Sequence, residues 1–189
     1  MSNRLGFNIA VFVSGGGTNL QSLIDAQREE RFNSKIKLVV SSNPDAFAIE
    51  RAERAGVDAV VCTDEQMIIE QLEKYEIELI VLAGYLKILQ KDLLSKYGNR
   101  IINIHPSLLP KYGGKGMHGM HVHEAVFAAG EKISGATVHF VNEVVDGGKI
   151  ILQEPIDISD CCSPKEIQEK VLTIEHQILP RAVKILEEV

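Results

Sequence analysis

Asn103-Ile104-His105-Pro106 closes an apolar run, and its two polar residues stand two positions apart. Side chains alternate along a strand, so extended backbone over Ile101 to Ile104 puts the Asn103 amide and the His105 imidazole on one face, converging beyond the sheet. The pair suits acyl transfer. An amide N–H donates to a carbonyl oxygen as it gains negative charge, and an imidazole stabilises that charge or relays a proton. A core histidine with a satisfied hydrogen bond is the structural alternative; placement at the carboxyl end of a strand, where α/β sites form, favours the chemistry. No serine or cysteine sits in a nucleophile-elbow pattern, which points to direct transfer between two bound substrates rather than a covalent enzyme intermediate. Val145-Asp146-Gly147-Gly148 offers a carboxylate that could face His105 and favour its imidazolium. The same four residues also read as a plain Asp-Gly hairpin turn.

A second candidate is Ser14-Gly15-Gly16-Gly17-Thr18-Asn19, between a buried strand and a helix. Backbone N–H groups and the helix dipole make such a junction an anion site, and glycines allow a phosphate to approach closely. The spacing fails the dinucleotide fingerprint, because Leu20 stands where a third glycine belongs, and no Gly-Lys-Ser/Thr follows to make a P-loop. The segment is therefore either a monophosphate or small-anion site or only a tight turn.

The elements that must hold these residues alternate β-branched runs with helical periodicity, the pattern of βαβ units on a parallel sheet. Strands are predicted at Asn8–Val13, Ile36–Ser41, Asp58–Cys62, Leu79–Ala83 and Ile101–Ile104. Helices are predicted at Thr18–Glu30, from Pro44 or Asp45 to Ala55, from a Thr63 cap with Gln66 as capping-box partner to Tyr75, and at Lys91–Tyr97. A Gly-, Lys- and His-rich loop then runs to about His121, followed by a short helix to Ala129. Ala136–Val141 and Lys149–Ile156, joined by the turn Asn142 to Gly148, predict an antiparallel edge hairpin. Ser163 to Val189 predicts a closing helix with Ser163 as cap, Pro164 in its first turn and a kink at Pro180.

Composition narrows the function. The 189 residues carry 20 Lys plus Arg against 26 Asp plus Glu, a formal charge of −6, which argues against a nucleic-acid module. The charged and apolar fractions are those of an ordinary globular chain, with room for one domain. No apolar run is long enough to span a membrane, and the N-terminus turns glycine-rich too early for a signal peptide, so a cytoplasmic location is expected. Cys62, Cys161 and Cys162 have no C-x-x-C spacing and read as reduced thiols. His118, His121 and His123 have no acidic or thiol partner at a ligand spacing, and no metal site is expected. His121 and His123 are expected to line or cap the rim, His139 and His176 to be structural, and Lys111 and Lys115 to be loop lysines able to add charge for anionic ligands.

Taken together, SGGGTNLQ, LAGYLKIL, NIHPSLLPKY, HGMHVHEAV, GATVHFVNEVVDGGKIILQ and EHQILPRAV resemble the phosphoribosylglycinamide formyltransferases, folate-dependent enzymes of purine synthesis, from about Asn8 to Val183. The resemblance implies a single-domain Rossmann-like α/β fold over 1–189, with a mostly parallel central sheet, an antiparallel edge hairpin and helices on both faces. It implies 10-formyltetrahydrofolate as co-substrate, with no metal, magnesium, nicotinamide or flavin, small-molecule partners, and a monomer or homodimer. It also assigns residues. Asn103, His105 and Asp146 match the catalytic trio. Gly17, Thr18 and Asn19 match the substrate-phosphate site, Glu175 a contact to glycinamide ribonucleotide, and Leu86, Lys87, Ile88 and Leu89, with Asn103, the folate pocket.

The chain departs from that pattern at four places. Gly113 to Gly119 looks like a small insertion, Lys87 stands where the family has arginine, an arginine-bearing stretch after the third strand is missing, and Leu172 replaces a polar substrate contact. Two other functions fit the same residues less well. A 10-formyltetrahydrofolate hydrolase would need no phosphate anchor, and a non-catalytic folate- or nucleotide-binding module would not need the intact trio.

Overall fold

The computed structural model describes residues 6–189. The expectation of no leader rests in part on residues 1–5, which lie outside the described residues. Among those described, no helix is long and apolar enough to cross a membrane.

Seven strands form one sheet in the order β3-β2-β1-β4-β5-β6-β7. Strands β1 (Asn8–Val13), β2 (Lys35–Ser41), β3 (Asp58–Val61), β4 (Leu79–Leu82) and β5 (Ile101–His105) run parallel, while β6 (Ile133–Phe140) and β7 (Ile150–Asp157) are antiparallel. This is the predicted mostly parallel sheet with an antiparallel edge hairpin. After β1 the chain builds outward through β2 and β3, then returns to place β4 on the other side of β1. That reversal opens a crevice at the carboxyl ends of β1 and β4, where open α/β sheets bind ligands.

Alternation assigns each strand residue to one of two cores. Ile9, Val11 and Val13 pack on one face with α1 (Thr18–Arg28), α2 (Phe47–Arg54), α5 (Met120–Ala128) and α6 (Pro164–Glu187). Ala10 and Phe12 pack on the other with α3 (Glu65–Lys74) and α4 (Lys91–Lys96). Asn103 and His105 share the parity of Ile101, which belongs to the second face. The buried strand residues of that cluster come from β1, β2, β4 and β5. The polar residues Asn103, His105 and His139 stand at the adjoining ends of β5 and β6, where they line the cavity.

Most boundaries agree with the sequence to within a few residues. Ser163 caps α6 by accepting from the Glu166 N–H, with Pro164 in the first turn, as predicted. One cap is corrected. Asp64, not Thr63, caps α3, its Oδ1 accepting from the Met67 N–H at 2.9 Å. β3 ends at Val61, which leaves Thr63 in the connection and brings the Asp64 carboxylate to the orphan donors of the first turn.

The far end of α6 is fastened by a buried charge. Glu187, 5 % exposed, accepts from the backbone N–H groups of Asn33 at 3.0 Å and Ser34 at 2.6 Å and from the Ser34 hydroxyl at 2.6 Å. Two main-chain donors in the connection before β2 therefore depend on one carboxylate from the end of the chain. Glu187→Ala is expected to lower the unfolding free energy by about 3 kcal/mol, read by urea denaturation, because charge-assisted bonds are lost and buried donors are orphaned.

Candidate functional site

The carboxyl ends of β1, β4 and β5 open into a cavity of about 630 Å³. One lip is Gly15 to Asn19 with Leu172 and Glu175 of α6; a second is Tyr85 to Leu89 with Val141 to Val145, joined to the glycine loop where the Leu86 N–H donates to Ser14 Oγ at 2.9 Å; Asn103, His105 and Asp146 also line the cavity. Sequence-distant residues meet here for local reasons. β5 delivers Asn103 and His105 from the same face, and β6 places His139 directly across from Asn103 and Thr137 across from His105. A register shift beside His139, where Val138 pairs with Leu152 but His139 with Ile150, marks a bulge at that point.

Asp146 sits in a turn built for close approach. Its φ is +55°, and a Cβ on Gly148 would fall 1.7 Å from the Phe140 carbonyl oxygen, so only glycine fits there. Asp146 Oδ1 lies 3.6 Å from His105 Nδ1 and 3.7 Å from His139 Nε2, and Oδ2 accepts from the Gly114 N–H at 2.8 Å. Asp146 and Gly147 do not form a plain Asp-Gly hairpin turn, since β6 ends at Phe140 and β7 begins at Ile150; they lie in the longer connection, which carries the carboxylate to His105.

The hydrogen bonds fix which atoms face the cavity. His105 Nε2 donates to the Tyr112 carbonyl at 2.8 Å, which leaves Nδ1 toward Asp146. That carbonyl is held in reach by the turn after Pro106: the Ser107 hydroxyl donates to the Lys111 carbonyl at 2.7 Å, and the Thr137 hydroxyl donates to the Ser107 carbonyl at 2.6 Å. His139 Nδ1 donates to the Phe140 carbonyl at 2.8 Å, so in the neutral ring Nε2 is a bare acceptor. It takes a hydrogen bond from Asn103 Nδ2 at 3.1 Å. Burial holds the His139 pKa below its ordinary value, which keeps the acceptor bare. The Asn103 amide is thereby oriented, with its second N–H left for a ligand.

On the first lip, Asn19 Nδ2 donates to Glu175 Oε2 at 2.6 Å, and Asn19 Oδ1 is buried with no partner. Burial raises the Glu175 pKa to about 7, against the opposing effect of the Asn19 bond. His123, 2 % exposed, has an unpartnered Nδ1 and a pKa lowered to about 4 by burial and by the nearby His105.

The fold thus gathers the residues singled out in the sequence into one cavity: His105 within 4 Å of Asp146 and Asn103 linked to that pair through His139, Gly17 and Thr18 with Asn19 bonded to Glu175, and Leu86, Lys87, Ile88 and Leu89 in the same lining. His139, expected to be structural, is instead the partner of Asn103 and lines the cavity, a role visible only once the β5–β6 register is known. His123 lines it too, whereas His121 is exposed beside Glu124. Lys115 reaches the lining, but Lys111 turns outward to Glu131 at 3.0 Å. The apparent insertion Gly113 to Gly119 is tied into the site by the bond from Gly114 to Asp146.

Residues 7–183 match the family pattern described as formyl transferase. The chain belongs to that family. The phosphoribosylglycinamide formyltransferase of Bacillus subtilis (strain 168) is 39 % identical over 186 residues, covering 94 % of this chain and 93 % of its own. The chloroplastic phosphoribosylglycinamide formyltransferase of Vigna unguiculata is 35 % identical over 94 % of this chain, which spans 60 % of that relative's length. The crystal structure of glycinamide ribonucleotide transformylase 1 from Symbiobacterium toebii superposes with a TM-score of 0.91 at 36 % identity, covering 97 % of this chain and 88 % of that one. The formyl transferase fold therefore extends over nearly all of this chain.

The Glu175 environment makes a pH prediction. Its folded pKa lies above the ordinary value, so the native state holds a proton that the unfolded chain releases between pH 4.5 and about 7. The stability this contributes is complete below pH 4.5 and is lost as pH rises through 7. Across that window the parent is expected to lose about 3 kcal/mol relative to Glu175→Gln, measured as the difference between their urea unfolding free energies at pH 4.5 and pH 8.

Proposed function

We propose that the chain, acting as one formyltransferase domain over 1–189, is a phosphoribosylglycinamide formyltransferase that moves the formyl group of 10-formyltetrahydrofolate onto the amine of glycinamide ribonucleotide. The observation that supports this reading is a single cavity lined by Asn103, His105 and Asp146 together with two unlike groups of residues. One half-site has the glycine loop and Glu175, suited to a phosphate-bearing amine. The other is walled by Leu86, Ile88 and Leu89 with Lys87, suited to a flat apolar donor with an acidic tail. Asn103 also borders the donor. The named relatives support the same substrate.

The neutral amine attacks the formyl carbon, forming the new C–N bond as the carbonyl oxygen takes the negative charge. The free N–H of Asn103 and a proton on His105 Nδ1 stabilise that oxygen, while Asp146 holds the His105 proton by its charge. Collapse breaks the bond to the folate nitrogen. The amine's proton reaches that nitrogen through His105 Nδ1 or water, so the products are formylated amide and tetrahydrofolate. No step calls on a metal. The enzyme works in the cytoplasm, as a monomer or homodimer, on small molecules.

Purified protein with 10-formyltetrahydrofolate is expected to release tetrahydrofolate only when glycinamide ribonucleotide is added. Release without it selects a hydrolase, and none in either case a binding module. Asn103→Ala should cost about 100-fold or more in turnover, since one oxyanion donor contributes about 2.7 to 4 kcal/mol. Asp146→Asn should lower kcat far more than it raises either KM; unchanged turnover in that variant removes Asp146 from the scheme.

A further inference from the structure

The glycine loop is held from behind by α2. The Ala48 N–H donates to the Gly15 carbonyl at 3.1 Å, and Arg51 Nε donates to the Gly16 carbonyl at 2.8 Å. Gly17, at φ +72°, packs so tightly on this helix that a Cβ would lie 2.6 Å from Ala48 Cβ. In a trans peptide the C=O and the following N–H point in opposite directions, and the only cis bond among the described residues is Leu109–Pro110. Two successive carbonyls turned toward α2 therefore aim the N–H groups of Gly16 and Gly17 away from it, on the side where the loop borders the cavity. Neither N–H, nor those of Thr18 and Asn19, donates to a protein group among the described residues. A second sign of a ligand is the Asn19 side chain in the same lip, 8 % exposed with Oδ1 unpartnered, an acceptor that calls for a hydroxyl or amine of a ligand whose phosphate sits on the loop N–H groups.

Arg51 is itself fixed. Its Nη1 donates to Gln21 Oε1 at 3.2 Å, Gln21 Nε2 donates to Asp25 Oδ1 at 2.9 Å, and the guanidinium lies 5.0 Å from the centre of the Phe47 ring. It stands behind the loop and does not line the cavity.

We propose that Arg51 is the positioning residue of the phosphate loop: without touching the ligand, it pins the Gly16 carbonyl so that the Gly17 N–H faces the phosphate of the substrate. This rests on the assignment of a phosphate-bearing amine to that lip. Lysine can satisfy one of the two oxygen acceptors but lacks the planar fork that reaches both; methionine satisfies neither.

Arg51→Met is expected to raise KM for glycinamide ribonucleotide about tenfold, leave KM for 10-formyltetrahydrofolate unchanged and keep kcat within about twofold, with Arg51→Lys intermediate. On glycinamide riboside, which lacks the phosphate, parent and variant should have equal kcat/KM. A loss of the same size on both substrates, or a ribonucleotide KM within twofold of the parent, overturns the proposal. A titration with inorganic phosphate, followed by the amide resonances of Gly16 and Gly17, keeps this separate from the substrate assignment. If the parent shows no ribonucleotide-dependent turnover, that assignment falls, while the titration still decides the role of Arg51. A midpoint about tenfold higher in Arg51→Met supports it; equal midpoints, or a parent whose amides do not respond, overturn it.

Discussion

The site depends on one carboxylate shared three ways. Asp146 stands within 4 Å of two imidazoles through Oδ1 and closes the Gly114 loop through Oδ2. Its three neighbours come from β5, from β6 and from a loop with no periodic pattern. A side chain with such partners cannot shift without releasing the loop or turning from His105. The left-handed backbone at Asp146 and the glycines after it are the local cost of bringing a carboxylate into that position.

Around this centre, polar groups are oriented by others that never face the ligand. The Tyr112 carbonyl selects which His105 nitrogen faces the cavity, His139 selects which end of the Asn103 amide does, and α2 selects which edge of the glycine peptides does. Each is a hydrogen bond to a group with a single available role, a carbonyl that only accepts or a ring nitrogen that is bare. Orientation is thereby settled before any substrate arrives, which is the condition under which fixed dipoles stabilise developing charge.

The sheet was legible because β-branched runs of four to six residues between helical periods leave few alternatives. Asn103 and His105 were legible because strand alternation is local. His139 was not: its place opposite Asn103 follows from a pairing between strands far apart in sequence, and alone it reads as a buried edge-strand histidine. Thr63 and Asp64 are both good caps, and only the point where β3 ends decides between them. The Glu187 clasp was invisible for a different reason, since its main partners are backbone N–H groups, which every residue but proline possesses. Likewise Arg51, in an amphipathic helix, looks like one more solvent-face charge until the Gly16 carbonyl is seen beneath it.

The two cores on opposite faces of the sheet carry a consequence for how the cavity can be altered. Leu89 and Tyr85 pack with the α3 and α4 core, whereas Leu20, Ala48 and Val171, beside the glycine loop and Glu175, belong to the other. Sites far apart with no shared neighbours contribute nearly additively. The two groups of residues meet where the Leu86 N–H donates to Ser14 Oγ at 2.9 Å, so changes at that seam couple, and only changes set deeper in each core, away from the strand ends, are expected to combine with little epistasis.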